Sequence, residues 1–342
     1  MKKILIIAPA WVGDMVMAQT LFKLLKDHYP MASLHILAPA WTAAVAQKMP
    51  ELSHAHVLPL GHGVLALKAR WRIGRELRSE QYDMAIVLPN SWKSALIPWA
   101  AGIAKRRGFK GEMRFGLLND VRILDKQKYP LMIERFMSLG LEEHAVLSKP
   151  YPCPSLLGDI TAATQLKQQL GLSTDKPVVA LCPGAEYGPA KRWPTHYYGE
   201  LAQQLHDLGY AVWLMGSKKD EVLADEIIKV APKACHNLCG RTDLNQAIDL
   251  LSIVTAVVTN DSGLMHIAAA LDKPMVAIYG SSSTAHTPPL SARVAIVQLS
   301  LSCSPCFKRE CPLGHLNCLK QIAPSLVLQS LQKLMATAEV SV

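Results

Sequence analysis

Residues 255–280, TAVVTNDSGLMHIAAALDKPMVAIYG, run from a β-branched apolar segment through a polar turn into an apolar helical pattern and on to a second β-branched segment. Strand, tight turn, helix and strand in that order make a βαβ unit, so the two strands lie parallel in one sheet. The turn sits where the first strand ends and the helix begins, which places backbone N–H groups and the positive helix end at one spot suited to an anion, most simply a phosphate. Gly263 lets a ligand approach the backbone there, and Ser262 and His266 donate hydrogen bonds from the same helix face. The same residues also fit an ordinary helix start, capped by Asp261 or Ser262 with His266 packed inside. The stretch alone leaves both readings open.

The same alternation extends along the chain. ILIIAPA (4–10), SLHILAP (33–39) and DMAIVLP (83–89) read as strands of a first set, with helices near 14–28, 41–49, 64–79 and 91–101. VVALCPG (178–184), YAVWLMG (210–216), AVVTN (256–260) and MVAIYG (275–280) form a second set, with helices near 195–208, 219–231, 244–252 and 263–271. Runs of Val, Ile and Leu without polar alternation are buried on both faces, as in parallel sheets covered by helices. The proline-rich PYPCPSLLGD (150–159), a helix near 160–171 and STDKP (173–177) separate the two sets as a hinge region. The expected fold is therefore α/β, two doubly wound domains spanning 1–172 and 173–322, with the ligand between them outside the carboxyl ends of their strands. Residues 323–342 are read as a C-terminal helix whose return to the first domain is left open.

Two further loops follow the first strand of each domain. CPGAEYGPAKRWP (182–194) has the glycine, proline and alanine content of a loop shaped around a ligand; Lys191 supplies a positive charge that a departing diphosphate needs, and Arg192 and Trp193 are available to anchor the loop. In PAWVGDMVMAQTL (9–21), Gly13 permits a sharp turn and Asp14 opens a helix. Asp14 serves there either as a partner of the helix dipole or as a general base; a carboxylate of ordinary pKa suffices for a hydroxyl that becomes acidic only as its oxygen bonds to carbon.

Composition narrows the class. The 342 residues, half of them apolar, suffice for two cores, and no apolar run is long enough to span a bilayer. The start, MKKILIIAPAWVGDMVM, reads as a first buried strand running into a helix rather than as a signal peptide, which makes the cytoplasm the expected location. The net charge of +9 gathers in KARWRIGRELR (68–78) and KRRGFKGEMR (105–114), pointing to an anionic partner or membrane surface. Nucleic acid fits poorly, because only 6% of residues are aromatic and no binding motif is present. The G-x-G-x-x-G fingerprint of nicotinamide dehydrogenases, the P-loop, H-E-x-x-H and G-x-S-x-G are all missing. The eight cysteines are read as thiols. Four of them, Cys303, Cys306, Cys311 and Cys318, fall close enough in sequence to hold a structural zinc or to remain free and redox-sensitive, and the spacing does not choose.

Taken together, WVGDMVMAQTL, LPNSWKSALIPWAAGIAKRRGFKGEMRFGLLND (88–120), CPGAEYGPAKRWP and TNDSGLMHIAAALDKP resemble the ADP-heptose:lipopolysaccharide heptosyltransferases of glycosyltransferase family 9, over nearly the whole chain. The likeness is greatest to the type that adds the second heptose. The resemblance implies a GT-B enzyme, two Rossmann-like domains facing across a cleft, with inverting chemistry and no cofactor or bound metal. It implies ADP-L-glycero-D-manno-heptose as donor and heptosyl-Kdo2-lipid A as acceptor, at the cytoplasmic face of the inner membrane. It further implies an N-terminal acceptor-binding domain and a C-terminal domain that binds the ADP-sugar.

Carried over by position, Asp14 is the expected base, Lys191 the diphosphate-binding lysine, and Asp261, Ser262, Gly263 and His266 the surroundings of the donor's heptose and phosphates. Glu186, Tyr187, Asp220 and Thr242 fall where the family lines its adenosine and sugar pocket, although enzymes that add the first heptose carry two hydroxyl residues where this chain has Glu186 and Tyr187. Arg106, Arg107, Lys110 and Arg114 are the expected contacts to acceptor carboxylates and phosphates. Competing readings are a heptosyltransferase with another core acceptor, a hydrolysing epimerase of the same fold, and a two-lobed solute-binding protein.

Overall fold

The computed structural model describes residues 2–61, 63–142, 145–172 and 175–339. The chain divides into two compact units between Pro154 and Ser155.

The first unit contains β1 (Lys3–Ile7), α1 (Val12–His28), β2 (Ser33–Pro39), α2 (Ala40–Ala46), β3 (His54–Leu58), α3 (Leu67–Leu77), β4 (Met84–Val87), α4 (Trp92–Ala100), β5 (Lys105–Phe109), β6 (Asp120–Arg122) and α5 (Met132–Ser138). Its strands pair in the order β3-β2-β1-β4-β5-β6, all parallel. Ile4 through Ile7 are buried in β1, so both faces of the sheet are covered. Leu5 and Ile7, pointing to one face, join Val87, Ile73 and Leu77 of α3, and Ala95 and Ile97 of α4 in one core. Helices α3 and α4 approach closely at Gly74, where a Cβ would stand 2.6 Å from the Cβ of Ala100. Only glycine admits that approach.

The second unit runs α6 (Ile160–Gln169), β7 (Val178–Cys182), α7 (Thr195–Asp207), β8 (Ala211–Leu214), α8 (Glu221–Val230), β9 (Cys235–Asn237), α9 (Leu244–Ile253), β10 (Ala256–Asn260), α10 (Gly263–Ala270), β11 (Met275–Tyr279), β12 (Val294–Gln298), α11 (Asn317–Lys320) and α12 (Pro324–Glu339). Its parallel sheet has the order β12-β11-β10-β7-β8-β9. The wiring repeats that of the first unit: in each, the chain starts in the middle, builds one side, then crosses to build the other. Each sheet therefore has a switch point, between β1 and β4 and between β7 and β10, where successive connections leave in opposite directions and open a crevice.

One boundary differs from the sequence reading, and one question left open there is answered. Helix α6 belongs to the second unit, not to a first domain ending at residue 172, because it packs on α9 and its preceding turn is fastened there. Leu156 N donates to Ala270 O at 2.9 Å, and Asp159 N donates to the Asp249 carboxylate at 2.8 Å. The closing helix is a component of the second unit as well. Val327 and Leu331 of α12 are fully buried with Val258, Ile278 and Leu201.

At the opposite edge of the first sheet from its switch-point loops, His35 and His56 surround Tyr82, whose hydroxyl lies 2.9 Å from Nδ1 of His35 and from Nε2 of His56. Burial, with Lys3 and His56 adding to it, lowers the His35 pKa to about 4; burial and then His54 lower that of His56. A folded-state pKa below 6.5 means that the unfolded chain binds a proton the folded one refuses. The stability that the His35 ring contributes is thus complete above about 6.5 and is lost as pH falls toward 4, by at most about 1.4 kcal/mol per pH unit, and His56 contributes a loss of the same sign. Histidine Cε1–H titration by NMR should give His35 a midpoint near 4; a midpoint near 6.5 would contradict the buried placement.

Candidate functional site

In the second unit, two loops meet at the switch point. Asn260, the last residue of β10, is fully buried, and its side chain bridges them: Nδ2 donates to Pro183 O at 2.7 Å, and Oδ1 accepts from Trp193 N at 3.0 Å. Trp193 is the anchor of the 183–194 loop, buried, with Nε1 donating to Ile322 O at 3.0 Å. Arg192 supports the loop through Ala185 O at 3.2 Å. From behind, the loop is held by the segment near residue 309. Ala190 N donates to Arg309 O at 3.0 Å, Tyr187 OH donates to Phe307 O at 2.8 Å, and a Cβ at Gly188 would stand 2.5 Å from Arg309 O.

So held, the loop delivers Lys191 to Asp261. Nζ lies 2.5 Å from Oδ2, with the lysine side chain 17% exposed and the aspartate 5%. The same ammonium stands 5.1 Å from the centre of the Tyr187 ring, a cation–π contact. His266, one helical turn into α10, is buried in the same place. Burial lowers its pKa to about 4, with Asp261 pulling it up and Lys191 pushing it down by less, so the ring is neutral at physiological pH. Ser262 occupies the cap position of α10 in extended conformation, but its side chain makes no capping bond, and its Oγ lies 3.4 Å from Thr259 Oγ1. Asp261 is committed to Lys191, and His266 is packed inside as the plain helix-start reading expects, without the side-chain cap that reading adds. The result is a helix N-terminus with an ammonium, a neutral imidazole and a serine hydroxyl around it, groups whose chemistry suits an anion such as a diphosphate.

The remaining expected donor residues line the same edge of the sheet but do different things. Asp220, after β8, accepts from Ser217 N at 2.8 Å and Ser217 Oγ at 2.7 Å, fastening its own turn. Glu186 is exposed and paired with Lys219 at 2.6 Å. Thr242 is half-buried in the turn after β9, just before the cap of α9. The sequence reading missed Asn260 itself and two serines after β11. Ser281 and Ser282 are buried at the same edge with hydroxyls that meet no hydrogen-bond partner among the described residues. The signal was available: a polar residue ending a strand buried on both faces, and a run of small hydroxyl residues ending the next.

The four clustered cysteines line one small cavity with Ala190, Ser281 and His315. All are free thiols, and among the described residues no three His, Cys, Asp or Glu side chains are disposed to hold a metal ion. Backbone N–H groups of Leu316, Leu313, Gly314 and His315 bond to the Cys311 sulfur and lower its pKa.

In the first unit, Asp14 is half-buried in the first turn of α1, directly after β1 at the switch point. The turn before it is braced by Trp41, whose Nε1 donates to Ala10 O at 2.7 Å.

The basic segment 105–114 is where the expectation fails. KRRGF is not a surface run but strand β5, and Arg107 is 1% exposed. Its guanidinium donates to Asp120 at 2.6 Å, Leu139 O at 3.1 Å and Leu141 O at 2.7 Å, and pairs with Glu142 at 3.2 Å. Burial pushes the Asp120 carboxyl up, but hydrogen bonds from Arg122 and Arg107 carry it below its ordinary value. Arg114 is buried, donating to Pro89 O at 2.7 Å and to Phe109 O, and Arg106 donates to Leu117 O and Ile103 O, both at 2.6 Å. Of the four cations expected to meet an acceptor, these three hold the fold together, and Lys110 alone is exposed. Replacing Arg107 by Met should cost about 3 kcal/mol, because Asp120 and two carbonyls lose their buried donor; a thermal unfolding curve matching that of the native protein would return Arg107 to the surface.

The sequence profile described as glycosyltransferase family 9 (heptosyltransferase) matches residues 70–317. Lipopolysaccharide heptosyltransferase 2 of Escherichia coli K12 is 45% identical over 98% of this chain and 99% of its own length. The protein of the same name from Salmonella typhimurium is 46% identical over the same shares. The solved structure of Escherichia coli ADP-heptose lipopolysaccharide heptosyltransferase II superimposes with a TM-score of 0.89 at 43% identity, covering 99% of this chain and all of that one.

Proposed function

The chain belongs to glycosyltransferase family 9 and is a heptosyltransferase of lipopolysaccharide core assembly, and on that premise we propose that it moves L-glycero-D-manno-heptose from ADP-heptose to the first heptose of heptosyl-Kdo2-lipid A. The reaction is an inverting single displacement. The acceptor hydroxyl attacks the anomeric carbon, Asp14 takes its proton, and the bond to the diphosphate breaks with its electron pair leaving on ADP. The observation that carries this reading is the Lys191–Asp261 pair beside the N-terminus of α10, whose cap residue Ser262 makes no side-chain capping bond. Only one of the ammonium's three protons is needed for Asp261, leaving the others for phosphate oxygens.

In this scheme Lys191 and the N–H groups at Ser262 and Gly263 stabilise the charge that grows on the leaving diphosphate, so neither a metal nor a cofactor is required. Asp261 positions Lys191, and neutral His266 donates a hydrogen bond without adding charge. Tyr187, with its ring beside Lys191, is placed against the donor; Glu186, Asp220 and Thr242 line the flank toward the adenosine. The acceptor side belongs to the first unit and the donor side to the second. Among the described residues no helix is long and apolar enough to cross a membrane. The proposed lipid-anchored acceptor, not this absence, is what puts the reaction at the cytoplasmic face of the inner membrane.

Incubation with ADP-heptose and heptosyl-Kdo2-lipid A, followed by mass analysis, should show one heptose added and ADP released only with acceptor present. Addition only to a different core acceptor would reassign the acceptor, and ADP release without acceptor would indicate a hydrolysing enzyme. Asp14→Ala should retain ADP affinity and lower turnover by about two to four powers of ten; near-native turnover removes Asp14 from the role of base. Lys191→Ala should weaken ADP binding in calorimetry by about ten- to a hundredfold along with the rate. Unchanged affinity would place the diphosphate elsewhere.

A further inference from the structure

With Arg106, Arg107 and Arg114 turned to internal bonds, α3 carries a cluster of exposed positive charge in the first unit. The inward side of this helix, Ile73 and Leu77, is committed to the core. Its outward side carries the cations Lys68, Arg72 and Arg75, of which Arg72 is paired with the exposed Glu76 at 3.8 Å, interspersed with Leu67 and Trp71, which are 47% and 48% exposed. Trp99 of α4, 42% exposed, stands with its ring centre 5.3 Å from that of Trp71. Two large aromatic rings are thus paired at the surface rather than in the core.

The approach to α3 adds to this patch and is built, not loose. Arg70, 6% exposed, donates from Nε to Leu65 O at 2.7 Å and from Nη2 to Val64 O at 3.0 Å, and Lys93 donates to Gly63 O at 2.9 Å. A buried guanidinium therefore spends its donors on fixing the backbone of residues whose aliphatic side chains, Val64 and Leu65, are 46% and 44% exposed. The connection from β3 to α3 leaves the carboxyl end of its strand, as does the turn from β1 to α1 that carries Asp14. The apolar knuckle at Val64 and Leu65 and the candidate base thus lie at one edge of one sheet, with the tryptophan pair on the helices that run back from it.

We propose that this surface, Val64, Leu65, Leu67, Trp71 and Trp99 with Lys68, Arg72 and Arg75 among them, docks the enzyme on an anionic phospholipid bilayer. Half-exposed tryptophans and aliphatics suit the boundary between headgroups and acyl chains, and the interspersed lysine and arginines match the negative charge of the headgroups. A soluble anion would use the cations and leave the apolar side chains in water. The assignment rests on the reading of the acceptor as lipid-borne: docking by this edge holds the sheet end that bears Asp14 toward the surface from which the acceptor sugars project.

The test is flotation of the full-length protein with vesicles of phosphatidylcholine alone or of phosphatidylcholine mixed with phosphatidylglycerol, with neither donor nor lipopolysaccharide present. Binding is expected only to the mixed vesicles, weakening as salt is raised. The doubly substituted L67Q/W71Q protein should lose binding by at least about tenfold, and Lys68→Glu and Arg75→Glu should each weaken it by at least about fivefold. All three variants should keep the native thermal unfolding and the native rate on a delipidated, water-soluble heptosyl-Kdo acceptor, while losing rate on acceptor embedded in mixed vesicles. Absence of native binding, equal binding to both vesicle types, or variants that float like the native protein would overturn the proposal. So would a change in oligomeric state in the variants with vesicle binding intact, which would assign the patch to a second copy of the chain. Failure of transfer to the delipidated acceptor would instead count against the proposed reaction, so the two ideas fail separately.

Discussion

The candidate donor site depends on one buried amide. Asn260 ends the central strand of the second sheet, and its side chain ties the loop after β7 to the loop after β10 with one bond to each end of the 183–194 segment. Both of its polar ends are satisfied within the protein, the condition on which a buried amide stabilises rather than costs. Without that bridge, a Trp193 N–H and a Pro183 carbonyl would be stranded, and the loop that carries Lys191 would lose its direct tie to the strand that leads to Asp261. A backbone constraint at the switch point thus becomes a constraint on where a positive charge can sit.

The charges around it are arranged so that the site is neither empty of charge nor overloaded. A buried ammonium and carboxylate cancel each other, and such a pair is poor evidence of stability, because desolvation consumes most of its attraction. Its value is orientational. His266 sits beside the pair and is held neutral by its surroundings, so it adds hydrogen-bonding capacity without adding a second cation. In the proposed reaction a diphosphate at this spot would meet one ammonium partly withdrawn from water and already aimed, leaving little reorganisation for the moment at which the leaving group takes up charge.

The broad architecture was legible because its signal is repetition: apolar strand runs, helical patterns and polar turns in strict alternation dictate parallel doubly wound sheets. The placement of Asp14, Lys191 and the turn at 261–263 after strand ends was legible for the same reason, since such folds bind ligands at those ends. What misled was charge. KRRGF reads as a solvated basic run, yet it forms β5, because Asp120, Glu142 and two carbonyls from later in the chain neutralise Arg107 within the fold. Local pattern carries no trace of partners thirteen and more residues away. The placement of α6 was hidden in a similar way. Its own sequence says only that it is an amphipathic helix, and its allegiance is decided by Asp249 and Ala270, roughly a hundred residues on. Asn260 was overlooked because a lone asparagine at a strand end looks like punctuation.

The identical wiring of the two units, with the break between Pro154 and Ser155, has a practical corollary for recombining this enzyme with its relatives. A chimera that exchanges halves to alter acceptor choice has its natural splice in the proline-rich stretch, ahead of α6. Joined there, each parent contributes a sheet with its own helices intact. A splice near residue 172 would pair one parent's α6 with the other's α9 and set mismatched side chains against each other along that seam, however well the chemistry of the two halves was matched.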